Sequence, residues 1–164
     1  MGIARAAVGV VAGVGLVGAG YAGLGGQDDS TRDEAGQIVE GGEVGAFRIR
    51  LGDCFNSGAI DEIESVQGVP CSSPHDGEVY LAFLLPEGDG SYPGDPVISD
   101  SATEGCYDAF EPFVGAEYET SALDFWSIQP TAGSWDALDD REVLCVLSNY
   151  DGTKKTGTGR DAGI

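Results

Sequence analysis

The chemical potential of this 164-residue chain is concentrated in four cysteines and one histidine. Cys54, Cys71, Cys106 and Cys145 could form two disulfides, bind a metal or act as a redox pair. A structural zinc site gathers its ligands in close pairs, and the chain has no Cys-x-x-Cys or Cys-x-His pair. The same absence argues against a thiol oxidoreductase, which needs a paired, activated thiol. The expectation is two disulfides and no metal or other cofactor. Three connectivities exist for four cysteines.

His75 is the only histidine, so two-histidine zinc hydrolysis and paired-histidine acid/base schemes are excluded. Cys54 precedes His75 in the order of nucleophile and base found in papain-like peptidoglycan amidases. The spacing is too short, and a catalytic Cys54 would leave an odd cysteine behind. Ser72 or Ser73 beside His75 and Asp76 supplies the residue types of a hydrolytic triad. Adjacent residues rarely orient all three groups, and no nucleophile-elbow motif is present. No catalytic residue is expected. His75 reads as the imidazole of a Pro-His turn that hydrogen-bonds the backbone, or, with Asp76 and Glu78, as part of an exposed recognition loop. The alternative is an envelope hydrolase, or hydrolase regulator, using the Cys54/His75 region.

Asp89, Asp95 and Asp100 lack the alternate spacing of a calcium loop. Trp126 and Trp135, with Tyr118 and Phe125, could line a ligand groove, but aromatics in so small a domain default to the core.

These groups need a compartment and a scaffold. Twenty-eight acidic against eight basic residues give a formal charge of -20, which repels phosphate backbones, so nucleic acid is excluded as a partner. The run Ala6 to Leu24 has no charged side chain and, at about 1.5 Å per residue, just spans a bilayer as a helix. Arg5 precedes it and Asp28, Asp29, Asp33 and Glu34 follow, which keeps the N-terminus cytoplasmic and sends the rest across. Residues 1–24 are therefore expected to be a single-pass membrane anchor. Its many glycines keep a cleaved signal peptide open, with cleavage after Ala22 and a secreted product. Either way the domain lies outside the cytoplasm, where disulfides persist.

Residues 25–45 are polar and Gly-rich and read as a flexible acidic linker; residues 151–164 read as a disordered tail. The folded domain is expected at 46–150. Within it, Phe47 to Phe55 alternates as a strand, and Ile60 to Pro70 with Val79 to Leu85 suggests a hairpin. Apolar spacing from Ser99 to Val114 predicts a helix capped by Ser99 or Asp100, and Gly115 stops it. Ala122 to Ile128 and Arg141 to Ser148 are further strands, with a turn or short helix around Ser134 to Leu138. The fold class is α+β, a small antiparallel sheet with one main helix packed on it. The positions of these elements favour Cys54 with Cys71 and Cys106 with Cys145.

Taken together, Leu51-Gly52-Asp53-Cys54-Phe55, Val69-Pro70-Cys71-Ser72-Ser73-Pro74-His75-Asp76-Gly77-Glu78-Val79, Gly105-Cys106, Pro130-Thr131 with Ser134-Trp135, and Arg141-x-Val143-x-Cys145 form an ordered set. This set resembles the septum formation family of actinobacterial proteins. The resemblance covers about Leu51 to Leu147. It implies a small extracytoplasmic domain behind a single transmembrane helix and an association with the division septum or cell envelope. A non-enzymatic binding or scaffold role, with an envelope or divisome protein as partner, is the expectation. The family pattern transfers no catalytic residue. One departure is Asp139-Asp140-Arg141, where Gly-Asp-Arg is expected.

Overall fold

A computed structural model describes residues 27–57 and 63–164. The hydrophobic run Ala6 to Leu24 lies outside them; among the described residues no helix is long and apolar enough to cross a membrane.

Eight strands and two helices follow in the order β1 (Thr31–Arg32), β2 (Ile38–Glu40), β3 (Gly42–Gly45), β4 (Cys54–Asn56), β5 (Ser65–Val69), β6 (Gly77–Leu84), α1 (Asp95–Val114), β7 (Leu123–Ile128), α2 (Ala132–Leu138) and β8 (Glu142–Asn149). β1 and β2 form a small ladder of their own. The other six make one antiparallel sheet in the order β3-β5-β4-β6-β8-β7. The α+β class holds, and the stretch around Ser134 to Leu138 forms a second short helix.

The run Val143 to Leu147 is apolar at every position because β8 is covered on both faces. Val143, Cys145 and Leu147 face α1, which lays Ile98, Ala102, Cys106, Phe110 and Phe113 on them. Full burial of a side chain such as Ile98 or Phe110 contributes roughly 1.5–3 kcal/mol. Leu144 and Val146 face the opposite way, toward a second cluster with Val44, Ile49, Phe55, Val66 and Val79. That cluster joins residues from both ends of the sheet order, so the sheet curls around it.

A bulge in β6 makes Tyr80 an extra residue between Val79 and Leu81. Tyr80 and Leu81 consequently both face the helix, where the Tyr80 hydroxyl donates to the Cys106 carbonyl at 2.6 Å. Gly105 fits the same approach: a Cβ there would lie 2.7 Å from the Phe83 ring.

Several expectations are corrected. α1 starts at Asp95, four residues before Ser99, since Pro96 suits a first helical turn. It ends as expected at Gly115, with φ 79° and its N–H on the Glu111 carbonyl at 2.8 Å. β5 and β6 do not form a hairpin, because β4 lies between them. The alternation from Phe47 to Phe55 is not one strand: Ala46–Arg48 is a 3-10 turn, and Asp53 folds back to accept the Arg50 N–H at 2.8 Å.

The segment read as linker, residues 25–45, instead supplies β1, β2 and β3 within its described part, residues 27–45. Val44 pairs with Val66 on an outer strand of the sheet, and Ile38 and Val44 are buried. Arg32 of β1 makes a bidentate ion pair with buried Asp53, at 2.5 and 2.9 Å, and a further bond to Asp28 at 2.9 Å. Charge-assisted bonds of this fork geometry are among the stronger ones, and they keep the guanidinium protonated. Arg32→Ala is expected to destabilise the protein by roughly 3 kcal/mol, because Asp53 would stay buried without its cation. Urea unfolding measures this; a loss below about 0.5 kcal/mol would mean that the N-terminal strands are a mere appendage.

The tail, residues 151–164, is also built in rather than disordered. The Asp161 N–H reaches the Phe113 carbonyl at 2.9 Å, the Gly163 N–H reaches Val114 at 2.8 Å, and the Gly157 N–H reaches Cys71 at 2.7 Å. Gly159 is buried, and a Cβ on it would come within 2.2 Å of Leu147.

Candidate functional site

Two places gather the residues singled out from the sequence: the loop between β5 and β6, and the concave side of the curled sheet. The loop begins at Cys71, bonded to Cys54 of β4 with a Cα–Cα distance of 5.1 Å. The other disulfide, Cys106–Cys145, ties α1 to β8 with Cα atoms 5.4 Å apart. No cysteine is free.

After the turn closed by the Ser73 N–H on the Pro70 carbonyl, His75 turns fully inward. Its backbone N–H and C=O exchange bonds with Lys155 at 2.9 and 3.0 Å, which joins the loop to the tail. Its Nδ1 lies 2.8 Å from the Ser73 carbonyl oxygen. A carbonyl can only accept, so Nδ1 carries the proton and Nε2 keeps its lone pair; Nε2 is buried without a hydrogen-bond partner. The contact is with the Ser73 backbone, not with a serine hydroxyl, so the triad arrangement of Ser72 or Ser73 with His75 and Asp76 is not assembled.

Burial is the main reason why the His75 pKa is lowered from 6.5; the Ser73 bond opposes that, and the Lys155 charge adds to it. A histidine buried in its neutral form stabilises the fold above its unfolded pKa of 6.5, and that contribution declines as pH falls through 6.5 toward the lower folded value. The urea midpoint should therefore drop between pH 7 and pH 5, and His75→Gln should flatten this part of the profile. An unchanged slope in the variant would assign the pH dependence to the carboxylates.

Glu78, on the helix face of β6, is 3% exposed. It accepts from Lys155 Nζ, Thr158 Oγ1 and the Gly159 N–H, the last at 2.7 Å. Asp76 is the one member of the expected recognition loop at the surface, paired with Lys154 Nζ at 3.0 Å. His75 and Glu78 are thus internal struts, which corrects their reading as an exposed recognition pair.

Cys54 Sγ, a His75 ring nitrogen and a Glu78 carboxylate oxygen lie within 4.8 Å of one another, all on buried residues. Among the described residues, this is the closest approach to the Cys54/His75 pair of a thiol enzyme or to a metal centre. Two of the three donors are already committed, the sulfur to a disulfide and the carboxylate to the tail, which leaves His75 Nε2 alone with its lone pair. Oxidised Cys54 offers neither a nucleophile nor a thiolate ligand.

Trp126 and Trp135 do not share a groove. Trp135 of α2 is buried on the helix side, where its Nε1 donates to the Gly90 carbonyl at 3.0 Å and the Arg141 guanidinium lies 3.6 Å from its ring centre. Trp126 of β7 points to the concave side, edge-on to Phe55 at 6.2 Å. There it helps to line an open cavity of about 470 Å³. Ala46, Phe47, Ile63, Ile128 and Leu144 complete the apolar lining, and Glu64, Asp140 and Glu142 add three carboxylates. Partial burial of the carboxylate, then the Asp140 charge, raises the Glu142 pKa. Phe47 and Ile63 enter from the β3 and β5 end of the sheet, Trp126 and Ile128 from the β7 end. Sequence reasoning missed the cavity because only the curl brings these ends together.

A family model described as Septum formation matches residues 51–161. The match contains both disulfides, the loop from Cys71 to Glu78, α1, α2 and the tail residues that Glu78 holds. No curated protein and no solved structure matches the chain.

Proposed function

Because this chain belongs to the septum formation family, we propose that its domain is a non-enzymatic binding module of the cell envelope. In this reading residues 1–24 hold it at the membrane as a single-pass anchor. The domain faces the extracytoplasmic side, and it engages an envelope or divisome protein during septum formation. The observation that carries the proposal is the fate of the motif. Cys54, Cys71, His75 and Glu78 bond one another's neighbourhood and the tail, so the family's most specific block supports a rigid domain. The two disulfides are consistent with an oxidising compartment. What the domain offers outward is shape and negative charge.

The test is complementation in cells depleted of the protein and scored for septum placement. A His75→Gln chain that retains both disulfides and wild-type abundance should restore septation, whereas the domain without residues 1–24 should not. A folded, abundant His75→Gln chain that fails to restore septation, together with cleavage of cell-wall material by the wild-type domain, would overturn the binding reading in favour of a hydrolase.

A further inference from the structure

We propose that the cavity on the concave side of the sheet is a docking groove for an extended partner segment carrying apolar and cationic side chains, seated against β7. This names a partner chemistry for the binding module and rests on that reading.

Two observations meet at the groove. The first is an open sheet edge: among the described residues, β7 is paired on one side only, with β8. The N–H groups of Leu123 and Phe125 point away from β8, since they bond to the side chains of Ser121, at 3.0 Å, and Asp124, at 2.8 Å. By the two-residue period of a strand, the N–H and C=O of Ser127 point outward as well, and Ser127 lies at the groove. The edge is therefore capped by its own side chains at its start and left available where the groove begins. Strand addition uses such an edge for affinity and pockets for alternate side chains for specificity.

The second observation is charge. The apolar floor of Trp126, Ile128 and Leu144 is rimmed by Glu64, Asp140 and Glu142. The Asp140 carboxylate accepts from Ser134 Oγ at 2.9 Å and from the Glu142 N–H at 3.1 Å, neither of which is a cation, and the nearby Arg141 guanidinium is engaged by the Asp140 carbonyl, the Trp135 carbonyl and the Asp139 carboxylate instead. The Glu142 pKa is raised in that setting. A lysine or arginine side chain arriving past Ile128 would relieve this crowding while its apolar neighbour covered Trp126. A second copy of a chain with net charge -20 brings the wrong sign.

The test uses the full chain in detergent micelles and a fluorescein-labelled octapeptide of alternating Val and Lys, with a Val-Glu octapeptide as control. The Val-Lys peptide should bind more tightly than the control. Glu64→Gln with Glu142→Gln should weaken it about tenfold. Glu111→Gln with Glu117→Gln, in the separate acidic hollow between the end of α1 and the turn that follows it, should change it less than about twofold. Peptide binding should also slow amide exchange within Leu123–Ile128.

Equal losses in both double variants, or protection confined to another edge, would overturn the groove while leaving the binding module standing. Failure of both peptides to bind would also overturn it, and the complementation experiment decides the module independently. Exchange protection at β7 that vanishes on deleting residues 1–26 would make the chain's own leader the occupant. Dimerisation lost in the Glu64/Glu142 variant would make it a second copy. Either result overturns the proposal.

Discussion

Replacing Cys106 and Cys145 together by alanine should lower the unfolding free energy by about 4 kcal/mol, the largest loss expected from removing either disulfide. The two cysteines are 39 positions apart, whereas Cys54 and Cys71 are 17 apart. In the chain-entropy model the shorter closure contributes about 3 kcal/mol. Packing widens the difference, because Cys106 and Cys145 are both fully buried at the interface of α1 with β8. Their removal leaves space between Ala102, Phe110 and Val143, and loosens the approach that sets the Tyr80 hydroxyl on the Cys106 carbonyl. Denaturant unfolding of the two double variants checks the order. A larger loss for Cys54→Ala with Cys71→Ala would show that the loop region, not the helix-to-sheet contact, carries the stability.

Glu78→Ala should cost roughly 3–5 kcal/mol and release the tail. The cost arises chiefly from what is left behind. Lys155 stays largely buried without a counter-charge, and the Gly159 N–H loses its acceptor next to Leu147. Glu78→Gln keeps an acceptor for Gly159 and should lose less. Limited trypsin digestion supplies a local readout, since Lys154, Lys155 and Arg160 all lie in the tail. Cleavage there should accelerate in Glu78→Ala well before global unfolding. If both variants unfold at the wild-type midpoint and resist trypsin equally, the buried cluster is not what secures the tail.

The roles of the motif residues explain how much could be read beforehand. The cysteine pairing was legible because strand and helix periodicity placed Cys106 on an apolar face and Cys145 within a strand, and a domain of this size gains much of its stability from cross-links. α1, β6, β7 and β8 were legible because each repeats its apolar residues at the period of its own geometry. The Phe47 to Phe55 alternation misled, since Asp53 organises a turn there and accepts Arg32 from a segment that reads as linker. Both ends of the domain were missed for one reason. Residues 27–45 and 151–164 have too few apolar residues to announce a core contact, and they are held by backbone pairing and by two buried ion pairs, Arg32–Asp53 and Lys155–Glu78.

The sequence by itself determined the charge, the exclusion of two-histidine chemistry, the α+β class, the chain order of most elements and the family. Those follow from composition, local periodicity and ordered motifs, each of which is a property of neighbouring residues. Only the tertiary structure decided that His75 and Glu78 face inward, that Trp126 and Trp135 lie on opposite sides of the sheet, and that Phe47 and Ile63 share a cavity with Ile128 and Leu144. Which face a side chain meets depends on the β6 bulge and on the curl of six paired strands, and hydrogen-bond register between distant segments sets both.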